Sequence, residues 1–526
     1  MTTVTVSLMR NPYTNKLRSG YYGGYSPPLG SGGVYHVAKT GNDTTGTGAI
    51  GAPFLTIGRA MFVREVGMTI KVHALLGTMT TYRESTDPTD PLYGNPYTTK
   101  VNITTSSVAG VAPQVSGQLG NQCTLMAYEG DEGLVQIQGA DLLGGIHSNS
   151  FDYWTIWGLR IVDCFKGGVM SFESTTPSQG NPSNGTAQIS VSTFGWIVEN
   201  NLLDNIYTNQ ITHSGIDNCS AISPWGSFNW TIRNNKIRRV YDVGGVKINS
   251  GIQSYAAVNC LIEHNDIESD QGIYFKDHFL ETVSPTRAPY LQESEVRYNK
   301  LKTTFAPLYI GQKGGTTQES GGHYFHHNIC YGIDGSRSGN SSKTFIYGKM
   351  LIGTVQQSTK MRVENNIFDR GAATSIRGFV LSSWNDIQSK GNIIIADAAI
   401  FSLENEPTGN AFPLTSLTYS DQNIYVISSF KNELQKNAPD ETSVTNFTTW
   451  KSKLFGDYRN LQVSNPDTHS TVLTSTTGLF TNIAENDYTY PVGSTAIGFM
   501  QDGSNAGAYQ TGTEVIGLLS VYSAGS

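Results

Sequence analysis

Apolar and polar residues alternate along this chain in bursts of four to six positions, and the bursts return at a long, nearly regular interval. An apolar residue, two variable positions, Asn, one variable position and another apolar residue recur in VENNLL, IRNNKI, IEHNDI, VRYNKL, FHHNIC and VENNIF. The asparagines are Asn201, Asn235, Asn265, Asn299, Asn328 and Asn366, with steps of 34, 30, 34, 29 and 38 residues; KGNIII (Asn392) and DQNIYV (Asn423) echo them more weakly. Alternation with period two predicts strands where a helical repeat would show period 3.6. Each repeat is therefore read as one winding of strands, and stacked windings make a solenoid with the Asn bridging backbone groups at a corner.

If apolar residues face inward, GGVKINS, QGIYFKDH and APLYIGQKG lie over one another. Val246, Ile273 and Leu308 then form one inward row, and Ile248, Phe275 and Ile310 a second. Lys247, Tyr274 and Tyr309 face out, as do Asn249, Lys276 and Gly311, and His278 and Lys313 follow where the strands end. Open stacks expose strand edges that need covering. Residues 56–67 predict a short plug: Thr56 caps a helix whose Ile57, Ala60, Met61 and Arg64 share a face, and Gly67 ends it. Residues 447–455 predict another, with Phe447, Trp450, Leu454 and Phe455 as its apolar side.

Composition supports strands and turns, since 57 of 526 residues are Gly and 15% are charged. With 35 Lys+Arg against 42 Asp+Glu the net charge is −7, which argues against a nucleic-acid partner and against adhesion to an anionic membrane, and membrane insertion is not expected because no apolar run is long enough. No run approaches a membrane span, and the first residues lack the apolar core of a leader. Cys123, Cys164, Cys219, Cys260 and Cys330 are odd in number and scattered, so buried free thiols are expected in place of a disulfide framework. His323, His326 and His327 have no acidic or Cys partner at ligand spacing and are expected at a polar corner. Glu263 and Glu268, flanking the Asn corner, are expected in solvent.

From about residue 34 onward the chain resembles the right-handed parallel β-helix proteins of the pectate-lyase-like superfamily. The residues carrying the likeness are YHVAKTGNDTTGTGAIGAPFLTIGRAM, GMTIKVHALLGTMTTYRE and the closing FTTWKSKLF, GLFTNIAENDYTYPVGSTAIG and NAGAY. The resemblance implies an all-β solenoid with a capping helix: an N-terminal extension over 1–33, the β-helix over 34–430 and a closing segment over 431–526.

The outward face holds two lysines, two tyrosines and a histidine within three windings, with Asp242 and Asp270 just before their strands. Aromatic rings suit sugar faces, and lysines suit carboxylate-bearing sugars. Two chemistries fit. A lyase needs a cation to neutralise a uronate and a base such as Lys, Tyr or His; DVGGVKINS resembles the rung of the alginate and chondroitin lyase group that carries its lysine, which makes Lys247 the base and Lys276 the second cation. That group has acidic calcium ligands where this chain reads Val243, Gly244 and Gly245, so no cofactor is expected, with calcium left open. A glycosidase needs two carboxyls, and Asp242 and Asp270 at similar offsets would sit about one winding apart. The candidate catalytic residues are thus Lys247, Lys276, His278, Asp242 and Asp270, and the candidate binding residues Tyr274, Tyr309, Asn249 and Lys313.

The Gly-, Tyr- and Pro-rich start, NPYTNKLRSGYYGGYSPPLGSGG, reads as an attachment arm. With the free cysteines it resembles a bacteriophage tailspike. That resemblance implies a homotrimer on the virion, attached through residues 1–33, whose partner is a bacterial surface polysaccharide; a non-catalytic receptor-binding fibre and a secreted bacterial polysaccharide lyase are the alternatives.

Overall fold

The computed structural model describes residues 7–10, 17–20, 27, 29–83, 99–103, 106–139, 143–148, 151–171, 193–208, 219–243, 249–255, 257–277, 293–313, 322–332, 344–351, 360–382, 384, 386–404, 416–436, 442–457 and 461–519. They form a parallel β-helix. Each winding contributes a strand to a first stack, turns at the Asn corner into a second stack, and bends into a third. The first stack runs from Val34–Val37 to Leu417–Asp421, parallel throughout. In Asp266–Asp277 and Lys300–Lys313 the second and third stacks are one continuous strand. No helix among the described residues is long and apolar enough to cross a membrane.

The corner explains the repeat. Asn201, Asn235, Asn265, Asn299, Asn328, Asn366, Asn392 and Asn423 are all fully buried. Each of the first seven donates its backbone N–H and its Nδ2 to the Oδ1 of the next, as in Asn235 to Asn265 (3.0 and 3.1 Å) and Asn265 to Asn299 (3.0 and 2.9 Å). Nδ2 also satisfies carbonyls, Ile232 and Glu263 in the case of Asn265, both at 3.0 Å. The amide of Asn supplies two N–H donors and a separate carbonyl acceptor in one short side chain. The preceding residue turns the chain with positive φ, from 53° at Asn234 and Asn365 to 65° at Gly391, which favours Asn, His and Gly there. The two weaker echoes, Asn392 and Asn423, are full members of this row.

All five cysteines are buried and unpaired with one another. The N-terminal helix, Ile57–Met61, is capped by Thr56 accepting from Arg59 N and buries Ile57, Ala60 and Met61. It is shorter than the sequence suggests: it stops before Arg64, whose φ of 60° belongs to the turn that Gly67 extends. The second helix, Phe447–Lys451, buries Trp450 alone, and Leu454 and Phe455 are exposed beyond its end.

Outside the first stack Glu199, Arg233, Glu263, Arg297, His326, Glu364, Lys390 and Asp421 fall in register as a row of mostly alternating charge. Glu263 is therefore not solvated. It is 4% exposed and receives Arg297 at 2.7 Å, while Glu268 pairs with Lys302 in solvent as expected. His326 and His327 do lie at the corner, bonded to each other through Nδ1 at 2.7 Å, with His327 also meeting Gln510, whereas His323 begins the strand His323–His326 and is buried with its ring 4.3 Å from that of Phe275.

One expected alignment is corrected. Ser250–Tyr255, not the stretch around Lys247, lies over the Tyr274 strand: Ile252 faces Ile273 and Gln253 faces Tyr274. Asn249 is accordingly beside Asp270, through Gln271 N donating to Asn249 O, and not beside Lys276.

Candidate functional site

The third stack carries an outward row that the pleat assembles from residues far apart in sequence. Gln253, Tyr274, Tyr309, Tyr347, Val380 and Ser402 are successive register partners. Between them and on either side, Ile273 with Leu308 and Phe275 with Ile310 point into the core at 0–1% exposure. Hydrophobic burial of those inward rows is what holds the tyrosines on the surface.

Tyr274 and Tyr309 meet edge to face with ring centroids 4.7 Å apart, and Tyr309 stacks on Tyr347 at 5.0 Å and 17°. Phe305 closes on Tyr309 from the side at 6.0 Å. Burial raises the Tyr309 pKa, so its phenol stays protonated at neutral pH and keeps its O–H as a donor for a ligand. Two positions further along, Lys276 faces Gly311, which faces Lys349. The glycine matters here: a Cβ at Gly311 would stand 2.8 Å from the Tyr274 hydroxyl and 3.1 Å from its ring. Tyr274 thus leans across the space Gly311 leaves, bringing its hydroxyl into the row that contains Lys276.

Tyr274, Tyr309 and Lys276 are brought together as the alternation predicts. Lys313 lies on the same strand as Tyr309, with its backbone opposite Leu351. Lys247 and His278 lie outside the described residues. The carboxylates sit elsewhere: Asp270 is four residues before Tyr274, roughly 13 Å along the strand. It is 6% exposed and accepts from Thr304 Oγ1 at 3.0 Å and Asn249 N at 3.5 Å. Asp242 is 1% exposed with the inward parity of Val240, accepting from Thr208 Oγ1 at 3.3 Å. Asn249 is also buried, its amide unpaired among the described residues. These three form a buried corner upstream of the tyrosine row.

Tyr347 is the residue that sequence reading missed. The available signal was the outward parity of TFIYGK, whose Tyr stands where the Tyr of APLYIG stands.

No family model and no curated protein matches the chain. Among solved structures it is similar to a pectate lyase, Pel9A, at 13% identity and TM-score 0.39, covering 92% of this chain and 97% of that one. It is similar to XylC, solved in complex with xylose, at 14% identity and TM-score 0.39 over 75% and 83% of the two chains. A rhamnogalacturonan lyase follows at 12% identity and TM-score 0.37 over 86% and 92%.

Proposed function

We propose that the chain holds a polysaccharide along the outer face of the third stack and cleaves it beside Tyr274 and Lys276. The observation that supports this is the tyrosine row. Three phenols on successive windings, with centroids 4.7 and 5.0 Å apart, offer amphipathic surface at about the interval of the windings themselves, ~4.8 Å.

Of the two chemistries, elimination has the better support. A base withdraws the proton beside a uronate carboxylate, the electron pair forms the ring double bond, and the glycosidic C–O bond breaks with a proton delivered to the leaving oxygen. Lys276 neutralises the carboxylate in this reading, and the Tyr274 hydroxyl, in the same row, stands at the reacting carbon. Lys247 and His278 are proposed as further base or acid groups from the adjoining segments. Hydrolysis would need two accessible carboxyls, whereas Asp242 and Asp270 are buried. The reaction so written uses no metal, and full activity in a chelator tests that.

The substrate class we propose is a bacterial surface glycan. The Gly- and Tyr-rich stretch within residues 1–33 supports attachment to a phage tail, and a homotrimer goes with it. Incubation with capsular polysaccharide decides the chemistry. Chain shortening with a new ultraviolet-absorbing unsaturated end is expected; reducing ends without the chromophore would mean hydrolysis, and intact polymer would leave a receptor-binding fibre. Sedimentation as a monomer would refute the trimer and favour a secreted bacterial lyase.

A further inference from the structure

A cleft of about 540 Å³ opens at the N-terminal end of the solenoid, between the loop of residues 38–53 and the turn at 73–75, a size typical of small-ligand sites. It lies about five windings, roughly 24 Å, from the winding of Tyr274. One side is apolar, with Ile50, Pro53 and Leu75; Ile50 and Leu75 are 63% and 44% exposed, an uncovered surface in front of the opening.

The other side is polar and rigid. His73 stacks on Tyr128 with centroids 4.1 Å apart, and its Nε2 lies 2.8 Å from His36 Nδ1. Lys71, bound to Glu129, has its ammonium 6.0 Å from the centre of the Tyr128 ring, and Asp131 accepts from the Ala74 backbone N–H at 2.9 Å. The Tyr128 and Thr40 hydroxyls and the second nitrogen of His73 make no hydrogen bond among the described residues, and Lys39 stands beside them. Because one proton is shared between His36 and His73, the second nitrogen of His73 offers a donor in one tautomer and an acceptor in the other. A hydroxyl group, which is both, is matched in either state. Apolar wall facing hydroxyls and an amphoteric imidazole is the complement of a sugar ring, whose C–H face and hydroxyl edge differ in the same way.

We propose that this cleft is a second saccharide-binding site, separate from the tyrosine row, that holds one sugar unit against Ile50, Pro53 and Leu75 with its hydroxyls on Tyr128, His73 and Thr40. It shares its ligand class with the proposed function and does not require cleavage. Gly51 lines the cleft, and a Cβ added there meets nothing within 4 Å, so Gly51→Trp is the substitution chosen to obstruct the cleft, with an unchanged melting temperature as its control.

The test is saturation-transfer NMR on the full chain with free glucose, galactose, mannose, rhamnose, N-acetylglucosamine and glucuronic acid. At least one sugar is expected to receive a component of transfer that Gly51→Trp removes, that Tyr128→Phe weakens several-fold and that survives Tyr274→Ala. Transfer to none of them, or transfer undiminished in Gly51→Trp, overturns the proposal. Transfer lost only in Tyr274→Ala would also overturn it while upholding the tyrosine row, so failure here and failure of the proposed function are told apart.

Discussion

Replacing Asn265 by Ala removes a side chain that is 0% exposed and bonded in every direction it can be. Its Oδ1 accepts from the backbone N–H of Asn235 at 3.0 Å and from Asn235 Nδ2 at 3.1 Å. Its Nδ2 donates to Ile232 O, Glu263 O and Asn299 Oδ1. Some of these partners keep other bonds: Asn235 Nδ2 still reaches Val198 O and Arg233 O, and Glu263 O still accepts from Asn234 N. The Asn235 backbone N–H does not, and its residue is 0% exposed. Leaving one or two buried groups stranded costs about 1–3 kcal/mol each, so a loss of roughly 2–4 kcal/mol is expected. In a stack whose windings contact only their neighbours the loss stays local. Hydrogen exchange of the Asn235 amide should therefore accelerate by a factor of roughly 30 to 1,000, while amides near Val72 and Tyr425 keep their rates.

An isosteric control separates bonding from packing. Asn265→Asp keeps the volume but turns an oxygen toward three acceptors, so at neutral pH it should destabilise more than Ala and recover in acid as the carboxyl gains a proton. An Ala variant with wild-type melting and unchanged Asn235 exchange would refute the reasoning, because the row would then be spacing without energy.

Gly311→Ala should displace Tyr274 and weaken polysaccharide binding roughly 3- to 10-fold by affinity electrophoresis while melting stays near wild type; unchanged affinity would detach Tyr274 from the site. Burial lowers the pKa of His147 and His264 to about 4 and of His327 to about 3, below the unfolded 6.5. In each case the unfolded chain binds the extra proton first, so stability is full above pH 6.5 and falls as pH drops from 6.5 toward 4, by about 1 kcal/mol per pH unit for each group; melting temperatures that do not fall between pH 7 and pH 5 would contradict it. Arg297→Met leaves Glu263 and Glu295 buried without their cation and should cost about 3–5 kcal/mol in denaturant titration, whereas Arg239→Met, removing a pair whose Arg is 65% exposed, should cost under about 1; equal losses would refute the distinction.

What the sequence discloses and what it hides divide along range. The Asn row is legible because the same local turn, a positive-φ residue followed by a bridging amide, is rewritten in every winding. Tyr274 over Tyr309 is legible because long uninterrupted strands fix parity on both sides of them. The alignment over the Tyr274 strand differs for the opposite reason: GGVKINS and SGIQSY each offer a passable alternation, and only the neighbouring winding decides between them. Tyr347 was hidden by Gly348, which reads as a loop residue yet lies in the inward row between Ile310 and Leu381. A Cβ there would come within 2.9 Å of the Trp384 indole, so the core is filled from another part of the chain.

The charged row was hidden in the same way, since Glu263 and Arg297 each look like surface residues until the register puts them together. A subtler signal lay in the residue after each ladder Asn. After Leu202 at the first ladder Asn it is Lys236, Asp266 and Lys300, and then Ile329, Ile367, Ile393 and Ile424, on an outward-facing row of the second stack. Isoleucine pointing outward on four consecutive windings requires a cover, and residues 479–508 supply it: Leu479, Phe480, Tyr488, Ala496 and Met500 pack on that row. Over the windings before Ile329 the tail makes polar contacts instead, Gly517 N donating to Tyr298 O at 2.7 Å and Leu519 N to Asn234 Oδ1 at 2.7 Å. The tail's docking site was therefore written in the repeat itself, as a departure from its own pattern.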